Sequence, residues 1–130
     1  MLYTNPTEQD AKYKVKSTYA NYIGGTWKEP EEGQYFDNIS PITGEVYSQI
    51  PRSTKADVDL AVAAAKEAQI EWAKQSPAER SQLLLKIADR VEENLEYLAV
   101  IETFDNGKPV RETLAEIGRA SCRERVCLYV

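Results

Sequence analysis

The chain is predicted to fold as two β-hairpins followed by three to four α-helices. Two stretches of aromatic and β-branched residues flank turn sequences, Gly24-Gly25 in the first and Pro41-Ile42-Thr43-Gly44 in the second. From Ser53 onward the apolar residues change to helical spacing, with start and stop signals between the runs. No alternation of strand and helix supplies a central parallel sheet, so the residues by themselves specify a small α+β piece.

Residues 1–18 are polar, with Lys12, Lys14 and Lys16 spaced by two, and are expected to form a mobile arm. In the first hairpin, Tyr19 to Ile23 leads into the Gly-Gly pair and Thr26-Trp27 leads out, until Pro30 among Glu29, Glu31 and Glu32 ends it. In the second, Tyr35 to Ile39 and Glu45 to Ile50 alternate around a turn in which Pro presets φ and Gly44 takes a positive one, and Pro51 closes the strand.

Ser53 or Thr54 caps the first helix, with Asp57 and Asp59 complementing the macrodipole; Val58, Ala61, Val62, Ala65 and Trp72 then share a face. Ser76-Pro77-Ala78-Glu79 is a capping box with proline at the first helical position, opening a helix with Leu84, Ile87, Ala88 and Val91 on one side. Asn94 caps a third helix that stops at Asn106-Gly107, and Pro109 opens a fourth through Leu114. The third helix is apolar on two sides: Leu95, Leu98 and Ala99 make one stripe, and Tyr97, Val100, Ile101 and Phe104 the other. Such a helix belongs in the middle of a packed assembly, larger than two hairpins and the remaining helices provide.

Composition excludes several chemistries. Of 130 residues 42% are hydrophobic and 28% charged, and 16 basic against 21 acidic side chains give a net charge of -5, which argues against nucleic acid or an anionic membrane as partner. No apolar run approaches the roughly 18 residues of a membrane span, and the start Met1-Leu2-Tyr3-Thr4 lacks the pattern of a secretory signal. There is no histidine, which removes Ser-His and Cys-His nucleophile pairs and imidazole zinc sites. Cys122 and Cys127, both near one end, make no disulfide framework, and the expected setting is cytoplasmic. A catalytic cysteine would need a base, and none is identifiable beside Arg119, Arg123 and Arg125. Paired carboxylates such as Glu92-Glu93 read as surface charge, and Gly24-Gly25 lacks the context of a phosphate loop. No catalytic or cofactor-binding residue is assigned.

Several of these segments together resemble the aldehyde dehydrogenase superfamily in its N-terminal part. The matching wording is Tyr22-Ile23-Gly24-Gly25-Thr26-Trp27; Asn38-Ile39-Ser40-Pro41-Ile42-Thr43-Gly44-Glu45-Val46; Asp57-Val58-Asp59-Leu60-Ala61-Val62 with the Ala-rich helix to Trp72; Glu79-Arg80 and Lys86-Ile87-Ala88-Asp89-Arg90; and Glu102 through Pro109. The five in order cover roughly residues 19–115, and the last two look most like bacterial NAD-dependent enzymes of the acetaldehyde type.

The resemblance implies an α/β parent fold with a Rossmann-type cofactor domain, residues 19–115 forming the N-terminal part of that domain. It implies a parent that oxidises a small aliphatic aldehyde to a carboxylic acid by a cysteine nucleophile, hydride transfer to NAD or NADP, and hydrolysis by a glutamate-activated water. The parent is expected to be a homo-oligomer. The motifs carrying these groups are absent from this chain, so the fragment alone is expected to be inactive and to bind no cofactor. Some members hold a structural monovalent cation; by position its ligands here would be Asn38, Ile39 and Asp105, with a simple turn as the other reading. Residues 116–130 depart from the family pattern: residues 118–130 carry Arg119, Arg123 and Arg125 against Glu124, and the expectation is a non-family tail produced by truncation. The alternative to a dehydrogenase fragment is a small helical protein-interaction module without enzymatic activity.

Overall fold

A computed structural model describes residues 3–126, with side chains to residue 119; the readings placed on Cys122 and Cys127 lie outside the described side chains. Four strands and four helices follow one another: β1 (Asn21–Ile23), β2 (Thr26–Lys28), β3 (Tyr35–Ile39), β4 (Val46–Pro51), α1 (Lys55–Lys74), α2 (Pro77–Glu93), α3 (Leu95–Asn106) and α4 (Val110–Val126). The chain divides into two units, residues 16–39 with 45–75, and the described residues of 1–15, 40–44 and 76–130.

In the first unit β1 and β2 pair antiparallel, Tyr22 opposite Trp27, around Gly24 (φ 60) and Gly25 (φ 80). Two successive positive φ values make the turn whose twist matches the strands, and glycine adopts them without a Cβ penalty. The Tyr22 and Trp27 rings lie 5.0 Å apart, and the hairpin rests on α1 where Gly24 faces Ala64. β3 and β4 pair antiparallel with an irregularity at Asn38/Ile39. Residues 17–19 run beside β4, with Gln49 N donating to Ser17 O and Tyr19 N donating to Gln49 O. Thr54, not Ser53, is the N-cap of α1.

The second unit contains the packed helices. Ser76 and Glu79 form the expected capping box: Ser76 N donates to Glu79 Oε2 at 2.8 Å and Glu79 N donates to Ser76 Oγ at 3.3 Å. Asn94 serves both neighbours, its side-chain amide donating to the Arg90 carbonyl of α2 and its own carbonyl accepting from Leu98 N of α3. Gly107 (φ 78) ends α3 in the left-handed region. α4 packs on both α2 and α3, and the deepest apolar side chains are small: Ala88, Ala99 and Val100. Small residues let helix axes approach closely. Residues 95–104 of α3 are all buried or half-buried, as a helix apolar on two sides requires.

The two apolar faces read from helical spacing on α1 and α2 are only partly covered. On α2, Ala88 is buried but Ile87 is 48% exposed. On α1, Val58 and Val62 stand 55% and 46% exposed, while Ala61 and Trp72 of the same face are half-buried. Helical spacing shows that a face is apolar without supplying the element that covers it.

Candidate functional site

The two turns singled out in the sequence come together in the second unit. Ser40 is buried, and its hydroxyl donates to the Phe104 carbonyl at 2.6 Å while accepting from Ile42 N at 3.3 Å. A carbonyl in the last turn of α3, which has no partner within the helix, is satisfied in this way. Gly44 N closes the turn onto the Ser40 carbonyl at 2.8 Å. A Cβ added at Gly107 would lie 3.2 Å from Pro41 Cγ, so the positive φ and the close approach both call for glycine. Lys108 reaches Glu116 at 2.8 Å and Glu102 at 4.0 Å. Its ammonium is held charged above the ordinary lysine range by the Glu116 bond, and Glu116 is lowered by the same contact.

Of the expected cation ligands, Asn38 and Ile39 close β3, with the Asn38 amide donating to the Tyr47 hydroxyl at 3.0 Å. Asp105 lies exposed in the last turn of α3, in the other unit. Among the described residues no group of three or more His, Cys, Asp or Glu side chains is arranged to hold a metal ion.

A polar cluster around Glu96 has no counterpart among the residues singled out in the sequence. Glu96 accepts from the Tyr3 hydroxyl at 2.8 Å, Lys12 Nζ at 2.8 Å and the Tyr13 hydroxyl at 2.6 Å. These three hold its carboxyl down to about 2, Lys12 first. The donors come from the segment expected to be a mobile arm. Pro6 and Ala11 in that segment are buried, and the Tyr13 ring meets Tyr97 edge-on at 5.7 Å. Sequence separations of 83 to 93 residues leave no local signal for such a cluster.

Asp57 also does more than complement a macrodipole. It is buried, accepts from Thr54 N at 2.8 Å and from Glu31 N at 2.9 Å, and so ties the acidic loop after β2 to the start of α1. These backbone donors lower its carboxyl below the ordinary range, Thr54 first. Thr103 and Thr113 meet in the α3–α4 contact: the buried Thr113 hydroxyl lies 3.0 Å from the Ala99 and Val110 carbonyls and 3.1 Å from Thr103 Oγ1. A polar residue set among Ala99 and Val100 on one helical face was the available signal.

The polar groups described above are engaged in helix caps, turns and the contact of residues 3–13 with Glu96, within an α/β piece of two hairpins and four helices. Residues 27–127 match the model of the aldehyde dehydrogenase family. A long-chain-aldehyde dehydrogenase of Acinetobacter is 57% identical over 115 residues, 88% of this chain and 23% of that protein. An acetaldehyde dehydrogenase of Pseudomonas aeruginosa is 53% identical over 114 residues, again 88% of this chain and 22% of the relative. The crystal structure of an NAD-dependent aldehyde dehydrogenase from Sinorhizobium meliloti superposes with a TM-score of 0.83 at 33% identity, over 97% of this chain and 26% of that one. The chain belongs to the aldehyde dehydrogenase family. It spans less than a quarter of the length of these two sequence relatives.

Proposed function

We propose that this chain is a structural segment of an NAD(P)-dependent aldehyde dehydrogenase that oxidises an aldehyde to a carboxylic acid, and that it has no activity alone. The observation that carries the reading is the identity above 50% to aldehyde dehydrogenases across nearly nine-tenths of the chain. In the whole enzyme the segment braces the cofactor-binding domain, with NAD or NADP as hydride acceptor, as the NAD dependence of the Sinorhizobium enzyme supports. The substrate is a small aliphatic aldehyde, which the Pseudomonas relative supports while the Acinetobacter relative extends the class to longer chains. The enzyme is cytoplasmic and homo-oligomeric; among the described residues no helix is long and apolar enough to cross a membrane. The reading is tested by replacing the matched residues of the Acinetobacter enzyme with this chain's own. The graft is expected to oxidise aldehyde with NAD or NADP, and the isolated chain to show no turnover.

A further inference from the structure

Of the five asparagines, Asn5, Asn21, Asn38, Asn94 and Asn106, only Asn106 is followed by glycine. The backbone nitrogen of the next residue can attack an asparagine at Cγ, and the next side chain is what hinders that approach; glycine has none. Asn5 precedes proline, whose nitrogen carries no hydrogen, and Asn21, Asn38 and Asn94 precede Tyr22, Ile39 and Leu95. Residues 105–109 are all exposed, so water reaches the joint between α3 and α4. Asn106 Oδ1 accepts from Lys108 N at 2.9 Å, which folds the side chain back over the main chain that follows it and polarises its carbonyl toward attack. Asn106 Nδ2 donates to Glu102 Oε1 at 3.2 Å. One contact opposes the reaction: Gly107 N donates to Thr103 O at 2.8 Å, and only opening of the last turn of α3 releases it. Helix ends open far more readily than the whole fold.

We propose that Asn106 is a site of spontaneous deamidation, through which the joint between α3 and α4 ages. Gly107 N gives its proton to water and bonds to Asn106 Cγ. The Cγ–Nδ2 bond breaks, and that nitrogen takes up a proton and leaves as ammonia. A cyclic imide remains. Water opens it at one carbonyl or the other, giving aspartate at 106 or isoaspartate, in which the main chain runs through Cβ and Cγ. Either product sets a new carboxylate near Glu102 in place of a donor to it, at the helix end where the dipole disfavours negative charge. Isoaspartate also lengthens the main chain by a methylene and displaces Gly107 from its place against Pro41.

The test incubates the whole chain at neutral to mildly basic pH, with and without guanidinium, and reads each asparagine by peptide mass. Without denaturant, Asn106 is expected to convert at least about tenfold faster than Asn94, which is also exposed but precedes leucine. Isoaspartate, told apart by its fragment ions, is expected among the products. Denaturant is expected to speed residue 106 further by releasing Gly107 N from Thr103. Asn106→Gln, whose longer side chain closes a less favourable ring, is expected to abolish the acidic species that accumulates on ion exchange. Conversion at Asn106 no faster than at Asn94 without denaturant would overturn the proposal. So would persistence of the acidic species in Asn106→Gln, or conversion of Asn106 in denaturant alone, which would make the Gly107–Thr103 bond a complete protection. Equal rates at Asn106 with and without denaturant would overturn it too, since the folded turn would then play no part.

Discussion

The Thr113 hydroxyl lies 3.1 Å from that of Thr103, and the pair joins α3 to α4 where both side chains are buried. Thr113 donates toward the Ala99 and Val110 carbonyls, each at 3.0 Å, and accepts from Thr103. Helices meeting through alanine and threonine gain little from apolar area, so this hydrogen-bonded contact fixes which faces meet.

Thr113→Val keeps the shape and removes the hydroxyl, stranding part of the hydrogen-bonding capacity of Thr103. The expected loss is about 1–2 kcal/mol of stability by chemical denaturation, with Thr113→Ser close to the native value.

Gly107→Ala brings a Cβ to 3.2 Å from Pro41 Cγ at a φ of 78. Both the left-handed backbone and the contact oppose it, and the expected cost is about 1–2 kcal/mol. Gly33→Ala, also at positive φ but with open space around it, is expected to cost less.

Glu96 carries the pH dependence of the arm. Its carboxyl titrates at about 2 in the folded chain, below the ordinary glutamate value. The unfolded chain therefore binds the proton more readily, and the stabilisation from Glu96 is present above the ordinary value and lost as pH falls toward 2. Amide exchange of residues 3–15 is expected to accelerate over that window, and Glu96→Gln to accelerate it already at neutral pH. Unchanged exchange in Glu96→Gln would contradict this.

Asp57→Asn retains size but removes the charge facing the Thr54 and Glu31 amides. Its carboxyl is lowered in the folded state, so its contribution is likewise present above the ordinary aspartate value and lost in acid. A drop of about 5 °C in Tm at neutral pH is expected, vanishing below the carboxylate range.

How much of this was legible follows from the range of each interaction. The Ser76–Glu79 box, the Gly24-Gly25 turn and the Gly107 stop are written within a few residues, and all three stand where the spacing puts them. The choice between Ser53 and Thr54 required backbone geometry, since either can cap; the three-residue spacing to Asp57 favours Thr54. Glu96 was illegible because its donors sit more than 80 residues away in a segment without periodicity. The α1 stripe was legible as apolar, but whether Val58 and Val62 are covered depends on a surface that periodicity does not describe. No pattern of catalytic residues was found, and the functional reading came from resemblance, which the family match then supported.

The most direct measurement is the initial rate of aldehyde-dependent reduction of NAD or NADP by the Acinetobacter enzyme carrying this chain's residues in place of its 115 matched ones. A rate within about tenfold of the unmodified enzyme, roughly 1.4 kcal/mol in the barrier, is the predicted result. A graft that is soluble, unfolds cooperatively and reduces neither cofactor would contradict the account.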